Sequence, residues 1–348
     1  MPLSNGRPPV VVAFSGGKDS AAAALLLREQ GHEVRALTMR LGLAGEGEIL
    51  ARVEALARAI AVPWRAVGLE TAFREAVLDR FVAAYGRGLT PNPCVACNRH
   101  IKFGLLMAAA AEEAPGALFA TGHYADKALA GGCWFLKEPA ERRKSQVYFL
   151  AAIDPGTLAR AVFPLAGMTV AQVRRKVAGL PLANAGESQD ACFLQGEGLD
   201  PFLQRCLPGG VRPGDLLDTA GAVIGRHDGA LRFTVGQRRG TGHAAGRRLY
   251  VVRRDLDAGT VTLGGEKDLL SSSLTAVAPV YWRPLRAGET LQVKVRYEAN
   301  GHEAEILEAT ADRFRVVFRE PVRAVTPGQL AVAYDGDFVV AAAEIVGA

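Results

Sequence analysis

Two groups of residues in this sequence have types and spacing that could do chemistry, and the first is a polar stretch near the N-terminus. Residues 15–20 (SGGKDS) follow a β-branched run and precede a run of alanine and leucine. This order predicts a buried strand, a tight turn and a helix, with Ser20 at the helix N-cap. The N–H groups of a glycine turn and of a helix N-terminus attract anions. The stretch therefore predicts phosphate binding, against the alternative of an ordinary strand–helix turn.

The second group consists of three cysteines in polar surroundings. Cys94 and Cys97 have CxxC spacing, so both sulfurs can face one centre, and Cys192 lies in a comparably polar stretch. Prolines 91 and 93 exclude a helix until after Pro93 and predict that the segment with the CxxC pair is an exposed, stiff loop. Because positive side chains follow it, we expect lowered thiol pKa values. A redox dithiol, half of a zinc site and a pair of catalytic thiols are the open interpretations, although a second CxxC pair is missing.

Alternating strand and helix patterns surround these groups in the first half of the chain. After the first strand and helix, strands are predicted at 33–39 and 64–67, and helices at 48–60 and 71–85. The alternation predicts an α/β fold with a doubly wound, Rossmann-like parallel sheet and ligands at the carboxyl ends of its strands. Met39 ends one strand where an adenine base could lie. Gly122 follows another strand and suits the edge of a nucleotide.

The second half of the chain has a different pattern. From about residue 199, turns rich in glycine and proline separate short apolar runs. A hairpin is predicted at 218–225, and a strand that enters a basic loop at 233–240. Period-two strands such as 292–297 and 314–318 predict a C-terminal antiparallel β-barrel after a small central domain. The predicted domains are 1–197, 198–270 and 271–348. Cations beside a stacking ring suggest RNA contacts, with solvated surface charge as the alternative, at Gln237, Arg238, Arg239, Arg296 and Tyr297.

Composition limits the class of protein. The chain has 348 residues, 49% of them hydrophobic, and a net charge of +5, which is compatible with a nucleic-acid partner. No run reaches the length of a membrane span, and the first nine residues lack a signal core, so we expect a cytoplasmic protein without membrane contact. Five cysteines argue against a disulfide framework. We expect Cys133 and Cys206, in apolar runs, to be buried.

The motifs along the chain resemble those of a known family. Residues 15–20 do not have the spacing of a Walker A loop or of a dinucleotide fingerprint, but they resemble the PP-loop of ATP pyrophosphatases. In order, the whole set of motifs resembles the tRNA-specific 2-thiouridylase family. These motifs are SGGxDS (15–20), TPNPxxxCN (90–98), IKFG (101–104), ATGHYA (120–125), KxQxYFL (144–150), FPL (163–165), ESQ (187–189), CF (192–193), FTVGQRRG (233–240), RLYVV (248–252), RYE (296–298) and TPGQ (326–329).

The resemblance implies an enzyme that replaces the C2 oxygen of the wobble uridine in tRNA with sulfur. ATP first adenylates that oxygen, and Asp19 helps to hold Mg²⁺ on the leaving pyrophosphate. Cys97 matches the family's nucleophile and Cys192 its persulfide carrier, so the two would resolve the persulfide as hydrosulfide or as a disulfide. The sulfur donor would be a persulfide carrier protein or inorganic sulfide. The implied ATP site comprises Ala13, Phe14, Ser15, Gly16, Gly17, Lys18, Asp19, Ser20, Met39 and Gly122, and the implied tRNA contacts add Lys144, Ser145 and Gln146.

Three positions depart from the family pattern. Many relatives carry aspartate where this chain has Cys94, and the family has aspartate where Ser145 stands, which suggests an altered tRNA contact there. Lys18 replaces an uncharged residue, and we expect it to contact phosphate. Related thiolation enzymes hold a 4Fe-4S cluster through three cysteines. We therefore hypothesise that Cys94, Cys97 and Cys192 ligate such a cluster, against a persulfide scheme in which Cys94 is auxiliary.

Two other functions stay open on the sequence. The chain could be a PP-loop ligase that adenylates a small molecule, although such ligases need neither thiols nor the predicted barrel. It could instead be a paralogue that binds tRNA or carries sulfur without modifying uridine. Tandem mass spectrometry of tRNA nucleosides separates these functions from 2-thiouridylation.

Overall fold

The fold is given by a computed structural model that describes residues 7–182, 191–207, 212–241 and 248–347. The chain divides into two compact units. Unit 1 comprises Met1–Val77, Cys94–Gln189 and Asp337–Val339, and unit 2 comprises Leu78–Pro93, Asp190–Gly336 and Val340–Ala348. The motif at 187–189 lies outside the described residues. These units do not test the predicted domain boundaries, which stay a prediction.

Unit 1 is built on a parallel sheet. Its strands are β1 (Val10–Ala13), β2 (Val34–Arg40), β3 (Trp64–Gly68), β4 (Leu118–Thr121), β5 (Asp126–Ala130), β6 (Cys133–Lys137) and β7 (Ala161–Val162). Five of them form the sheet in the order β3-β2-β1-β4-β7, while β5 and β6 form an antiparallel hairpin. Central β1 pairs in parallel with β2 and β4 and is almost wholly buried. The predicted Rossmann-like α/β fold is confirmed.

Helices connect the strands of this sheet. The first two, α1 (Lys18–Glu29) and α2 (Glu46–Ala59), link β1 to β2 and β2 to β3. Apolar residues of both helices pack with the buried side chains of β1 and β2. A third helical segment runs from 70 to 86 with a π-helical middle, as Glu70–Phe73, Arg74–Asp79 and Arg80–Gly86.

Shorter helical elements occur in both units. The shorter helices are Val147–Leu150, Val170–Lys176 and Leu199–Cys206, and the 3₁₀ turns are Arg142–Lys144, Pro155–Ala159, Cys192–Leu194, Ala230–Arg232 and Glu266–Leu269.

The CxxC pair lies on a helix, so the expectation of a loop there was wrong. Helical structure begins at Pro93 and continues to Glu113, as Pro93–Ala96, the π-helical Cys97–Leu106 and Met107–Glu113. We call residues 93–113 the cysteine helix. Pro93 occupies the first helical position, where the missing N–H costs no hydrogen bond and the fixed φ suits a helix. The prolines therefore set where the helix starts instead of keeping the cysteines out of it.

Unit 2 contains a small sheet and a barrel. The small sheet has the strands β8 (Gly214–Leu217), β9 (Val223–His227), β10 (Tyr250–Asp255) and β11 (Thr260–Gly264), in the order β10-β11-β8-β9. The barrel strands are β12 (Leu270–Tyr281), β13 (Thr290–Lys294), β14 (His302–Ala309), β15 (Arg313–Arg323), β16 (Leu330–Asp335) and β17 (Phe338–Gly347). Their order is β12-β15-β14-β13-β16-β17, and pairing between β12 and β17 closes the barrel. The predicted antiparallel barrel and the hairpin of β8 and β9 are confirmed.

Two predicted strands of the second half were wrong in detail. Residues 233–240 form turns, in which Thr234 and Gln237 bond each other and Gly236 donates to Val251. The strand expected at 292–297 ends at Lys294, so Arg296 and Tyr297 lie in the turn that follows β13. Alternating residue types occur in both stretches, but a strand also needs a neighbouring strand to which its backbone can hydrogen-bond.

Two cysteines expected in the core are exposed. Cys133 begins β6 directly after a turn in which Gly131 and Gly132 have positive φ, so it lies at the open end of its hairpin. Cys206 is the last residue of its helix, one turn beyond the buried Phe202 and Leu203. Both cysteines have apolar neighbours, which predicted burial, but each lies at the end of its strand or helix and is therefore exposed to solvent.

No helix in the described part of the chain is long and apolar enough to cross a bilayer.

Candidate active site

The first part of the candidate site is the turn between β1 and α1. Phe14 is buried and its N–H donates to Leu37 of β2, so the strand ends in a fixed position. Gly16 has a φ of 75°, a left-handed conformation that a side chain would strain. Gly17 is the N-cap and the helix starts at Lys18, which corrects the prediction of Ser20 as N-cap. The turn thus directs the N-terminus of α1 into a concave loop suited to an anion.

Two hydroxyl groups complete the lining of this turn. Ser20 donates through Oγ to the Gly17 carbonyl at 3.0 Å and lies 3.3 Å from Ser15 Oγ. The Gly17 N–H donates to Ser15 Oγ at 3.4 Å. The hydroxyls are therefore held against the loop by the first turn of the helix, and Ser20 acts there as a side chain of that turn. Glycine backbone, hydroxyls and a helix N-terminus together are a donor set that fits the pyrophosphate part of ATP.

Asp19 carries the carboxylate of the turn, and two side chains orient it. Lys18 Nζ lies 3.1 Å from one carboxylate oxygen, and the Tyr124 hydroxyl donates to the other at 3.3 Å. The Asp19 side chain is still about one-third exposed, at 32%. A partly exposed carboxylate beside a phosphate-binding turn fits the oxygen ligand that Mg²⁺ prefers. Lys18, for which we expect a phosphate contact, forms an ion pair with Asp19 in this structure.

Gly122 approaches the same turn from β4. A Cβ atom added at Gly122 would lie 2.7 Å from both the carbonyl carbon of Asp19 and the nitrogen of Ser20. These are backbone atoms and cannot rotate away, so only glycine allows this approach. Gly122 therefore sets the position of the helix N-terminus, a role that sequence reasoning missed because the contact joins residues about a hundred positions apart.

Tyr124 is fixed in turn by Gln146. The Tyr124 N–H donates to Gln146 Oε1 at 3.0 Å, and the Gln146 N–H donates to the Tyr124 carbonyl at 2.8 Å. This two-way bond holds the segment that carries Gly122 and Tyr124. Gln146, predicted as a tRNA contact, thus has a structural partner in the ATP half of the site. The only sequence signal for the bond between Tyr124 and Gln146 is that both residues lie in short motifs, ATGHYA (120–125) and KxQxYFL (144–150).

His123, between Gly122 and Tyr124, is a buried and uncharged imidazole. Its Nδ1 lies 2.8 Å from Thr121 Oγ1. Burial holds the pKa of His123 well below its usual value, and the nearby charge of Lys102 lowers it further. The ring is therefore neutral at pH 7 and does not bring a positive charge to the nucleotide side of the site.

Met39 lies at the carboxyl edge of the sheet. Strand β1 ends opposite Leu37, so β2 continues past it through Met39 to Arg40. The preceding Thr38 donates to the Phe14 carbonyl and accepts from Trp64 Nε1 at 2.8 Å, which locks this edge. The position agrees with the place expected for an adenine contact, and the contact itself stays a prediction.

The second part of the candidate site is the start of the cysteine helix. Cys94 is exposed, and Cys97, three residues later on this helix, is 8% exposed. Asn98 anchors the turn because its Nδ2 donates to the Phe149 carbonyl at 3.0 Å. Its Oδ1 is buried and has no hydrogen-bond partner among the described residues. Residues three apart in a helix share a face, so the spacing of the two thiols is local and fixed.

The thiol of Cys94 is less acidic than the sequence predicted. Although the side chain reaches the surface, the protein around its sulfur raises the thiol pKa by desolvation, and the charge of Lys102 lowers it by a smaller amount. The expected activation of Cys94 by neighbouring cations was therefore wrong in direction. A charge must lie close to the sulfur to outweigh desolvation, and proximity in sequence does not guarantee that.

Alkylation kinetics should reveal the raised pKa of Cys94. Because desolvation disfavours the thiolate, the rate of Cys94 modification by iodoacetamide should rise with pH through a midpoint above the ~8.5 of an ordinary thiol. Lys102→Met should move the midpoint still higher, since it removes the opposing charge. Peptide mapping by mass spectrometry measures both rates. A midpoint at or below that of a cysteine in a short peptide would contradict the assignment.

Cys192 belongs to unit 2. It is exposed and begins the 3₁₀ turn Cys192–Leu194. The next residue, Phe193, packs against Phe81 and Phe202 with ring centroids 5.2 Å and 5.0 Å apart. This aromatic cluster anchors the turn and leaves the thiol at the surface, a placement that suits loading with sulfur by an external donor.

The described residues offer no group of ligands for the hypothesised 4Fe-4S cluster. Within the residues that the structure covers, no group of three or more His, Cys, Asp or Glu side chains could hold a metal ion. The described residues therefore do not fit a three-cysteine cluster, and we derive no reaction step through one.

The predicted tRNA contacts are partly available at the surface. Arg238 and Arg239 are exposed, whereas Gln237 is used within its turn, since its Nε2 donates to the Arg239 carbonyl at 3.0 Å. Lys144, Arg296 and Tyr297 are half-buried. Ser145 is 8% exposed, and its Oγ accepts from the Val147 N–H at 3.3 Å. The RNA contacts themselves stay predictions.

Comparisons with known proteins cover nearly the whole chain. A family model described as the tRNA methyl transferase HUP domain matches residues 8–196, more than half of the chain. Two further models, a tRNA methyl transferase PRC-barrel domain and an aminomethyltransferase beta-barrel domain, match 200–265 and 271–345. The tRNA-specific 2-thiouridylase MnmA of Pelotomaculum thermopropionicum is 39% identical over 97% of this chain and 97% of its own length. The chain belongs to the tRNA-specific 2-thiouridylase family.

A second relative agrees with this assignment. The tRNA-specific 2-thiouridylase MnmA of Geobacter metallireducens is 40% identical over 96% of this chain and 95% of its own length. Because both matches run almost end to end, membership of the 2-thiouridylase family applies to the sheet, the small domain and the barrel together. The resemblance found in the sequence motifs is confirmed.

Proposed function

We propose that this chain converts uridine in tRNA to 2-thiouridine, using ATP to activate the base and a thiol-bound sulfur to replace its oxygen. The observation that carries the proposal is the end-to-end match with relatives named tRNA-specific 2-thiouridylase. The chain also has the two chemistries this reaction needs, an anion-binding turn at the N-terminus of α1 and cysteines on the first turns of a helix. The wobble position as the target is part of the proposal.

In the activation step, the turn at residues 15–20 holds the pyrophosphate of ATP as a substrate. The N-terminus of α1 and the hydroxyls of Ser15 and Ser20 bind its negative charge. The Asp19 carboxylate would hold a magnesium ion, which would supply positive charge to the leaving pyrophosphate. The C2 oxygen of uridine then attacks the α-phosphate, pyrophosphate departs, and an adenylated base remains. A poor leaving group thereby becomes AMP.

In the sulfur step, the terminal sulfur of a persulfide on Cys192 attacks C2, and AMP leaves with the former C2 oxygen. The Cys97 thiolate attacks the Cys192 sulfur and breaks the sulfur–sulfur bond. The products are 2-thiouridine and a Cys97–Cys192 disulfide. Two routes restore the persulfide. In the first, an external dithiol reduces the disulfide, and a persulfide carrier protein then transfers its outer sulfur to the Cys192 thiolate. In the second, hydrosulfide attacks the Cys192 sulfur of the disulfide, which forms a new Cys192 persulfide and releases the Cys97 thiolate. Cys94, whose raised pKa favours the thiol at pH 7, is auxiliary.

Iron analysis distinguishes this route from the 4Fe-4S hypothesis for Cys94, Cys97 and Cys192. Because the described residues do not form a three-ligand group, we expect the anaerobically purified protein to be colourless and to contain no stoichiometric iron or acid-labile sulfide. It should still thiolate tRNA at full rate with a persulfide donor. Four irons per chain, together with activity that disappears on chelation, would establish the cluster and refute the persulfide route.

Nucleoside mass spectrometry tests the function as a whole. A strain lacking this gene should lose 2-thiouridine derivatives from its tRNA, and the wild-type copy should restore them. Unchanged 2-thiouridine would remove the proposal and leave a PP-loop ligase for a small molecule or a non-modifying paralogue. Loss of a methyl group instead of a sulfur would support the methyl transfer that the names of the matching domains mention.

A further inference from the structure

The segment that leads into the cysteine helix is held by a buried arginine. Arg254, on β10, is 9% exposed. Its Nε donates to the Gly88 carbonyl at 3.0 Å, and its Nη2 donates to the Leu89 carbonyl at 2.6 Å and to Thr90 Oγ1 at 3.1 Å. We call residues 88–90 the lead-in segment. One guanidinium thus binds all three of its residues.

Arg254 has further contacts that fix it in place. Its Nη1 donates to the Phe233 carbonyl at 2.6 Å, and its guanidinium lies 5.5 Å from the centre of the Tyr85 ring. A buried arginine stays charged, and its fork of donors needs acceptors in fixed directions. Carbonyl oxygens, a hydroxyl and a ring face supply them here. Burying a charged side chain costs free energy, and here its hydrogen bonds go mainly to backbone carbonyls. Such an arrangement is expected where the position of that backbone is important for function.

The barrel side of unit 2 holds the same segment through a second, independent set of bonds. The Thr90 N–H donates to the Pro327 carbonyl at 2.9 Å, and Gln329 Nε2 donates to the Thr90 carbonyl at 2.6 Å. Between them, Gly328 has a φ of 90°, and a Cβ atom there would lie 2.7 Å from the Thr90 nitrogen. The motif TPGQ therefore binds the backbone of Thr90, the first residue of the motif TPNP, and its glycine allows the close approach.

The lead-in segment is also where the chain leaves unit 2. Pro93 is the last residue of that part of unit 2, and Cys94 is the first residue of the following part of unit 1. Three residues separate Thr90 from Cys94, and two of them, Pro91 and Pro93, stiffen this stretch. The position of Thr90 therefore bears on the start of the cysteine helix through a short, proline-rich stretch of chain.

We propose that Arg254 and Gln329 are positioning residues for sulfur transfer, because they fix the lead-in segment and with it the start of the helix that bears Cys94 and Cys97. The inference rests on the proposed thiolation for its catalytic consequence. Neither residue touches the reacting atoms. Both act through Thr90, one from the small sheet and one from the turn before β16.

Arg254→Met tests the proposal, since it keeps an unbranched apolar stem and removes the donors. We expect kcat for tRNA thiolation to fall ~10- to 100-fold, the usual cost of a displaced reacting group, with KM for tRNA almost unchanged. We also expect faster alkylation of the buried Cys97 by iodoacetamide, by about tenfold, because the helix start is no longer held. Gln329→Met should change both quantities in the same direction, and it serves if the arginine variant fails to fold.

Two controls separate positioning from charge and from stability. Arg253→Met removes an arginine that is exposed and paired with Asp255, so it should leave both quantities unchanged. Leu216→Ala removes a buried side chain from the core of the same small sheet and should lower the melting temperature without accelerating Cys97 alkylation. The alkylation readout needs neither ATP nor tRNA, so it tests the inference even if wild-type protein proves unable to thiolate tRNA. If Arg254→Met and Gln329→Met alkylate and turn over like Leu216→Ala, the two residues only stabilise the fold and the proposal is overturned.

Discussion

Cys97→Ser should abolish tRNA thiolation, by about 10³-fold or more in rate, while leaving the ATP half of the reaction intact. A hydroxyl is isosteric with the thiol but cannot accept or displace sulfur at pH 7. The turn at 15–20 and the supporting bonds among Asp19, Tyr124 and Gln146 do not involve Cys97. Pyrophosphate release that depends on tRNA should therefore continue. Liquid chromatography with mass spectrometry measures 2-thiouridine, and a coupled assay measures pyrophosphate.

The chain contains matched controls for this substitution. Cys133 and Cys206 are exposed thiols outside the candidate site, so serine at either position should leave both readouts at the wild-type level. The pair also reports any loss caused by fewer thiols overall. Thiolation by Cys97→Ser at a rate close to that of the two controls would exclude Cys97 as the resolving group.

Gly122→Ala should lower the rate of ATP use by about 100-fold. The added methyl would meet backbone atoms of Asp19 and Ser20 at 2.7 Å, so the N-terminus of α1 must move away from its place in the turn. A displacement of about 1 Å of groups that orient a reacting phosphate costs ~10²-fold in rate. Both tRNA-dependent pyrophosphate release and thiolation should fall together by that factor, in contrast to Cys97→Ser. Calorimetric titration with a non-hydrolysable ATP analogue should show the loss of affinity directly.

Gly47→Ala is the matched control for this variant. Gly47 lies in α2, and the position of its Cβ is open, with nothing nearby. Alanine there should keep full activity and stabilise the helix by up to ~1 kcal/mol, since glycine is a poor helix former. If Gly122→Ala binds the analogue as tightly as Gly47→Ala does, the close approach to α1 does not set the nucleotide site.

The PP-loop half of the site was largely predictable from the sequence because its chemistry is local. A β-branched strand, a glycine turn and an alanine-rich helix follow one another directly, so the anion site required no long-range information. What the sequence could not give was the exact helix start. Ser20 has the residue type of an N-cap, but Gly17 takes that place, and Ser20 turns inward to bond it.

The supporting contacts were not predictable because they join distant parts of the chain. Gly122 against Asp19, Gln146 with Tyr124 and Arg254 with the lead-in segment each depend on how strands are ordered in a sheet. Motif spacing contains no distances between such residues. The CxxC pair shows the same limit for electrostatics, since nearby cations predicted an acidic thiol at Cys94, whereas desolvation raises its pKa.

The cysteine helix shows how local rules can conflict. Two prolines argued for a loop at Cys94, but proline is also favoured at the first position of a helix, and the structure uses Pro93 in that way. The outcome depends on whether the following residues can bury a helical face. Ile101, Phe103 and Leu106 do so.

In the proposed mechanism, ATP activates the C2 oxygen of uridine and sulfur then replaces this oxygen. The most direct test uses tRNA whose wobble uridine carries isotopically heavy oxygen at C2, incubated with the wild-type chain, ATP and a persulfide donor. Mass spectrometry of the released AMP should show one heavy oxygen for each 2-thiouridine formed. Unlabelled AMP alongside full thiolation, or thiolation without AMP, would refute adenylation of the C2 oxygen.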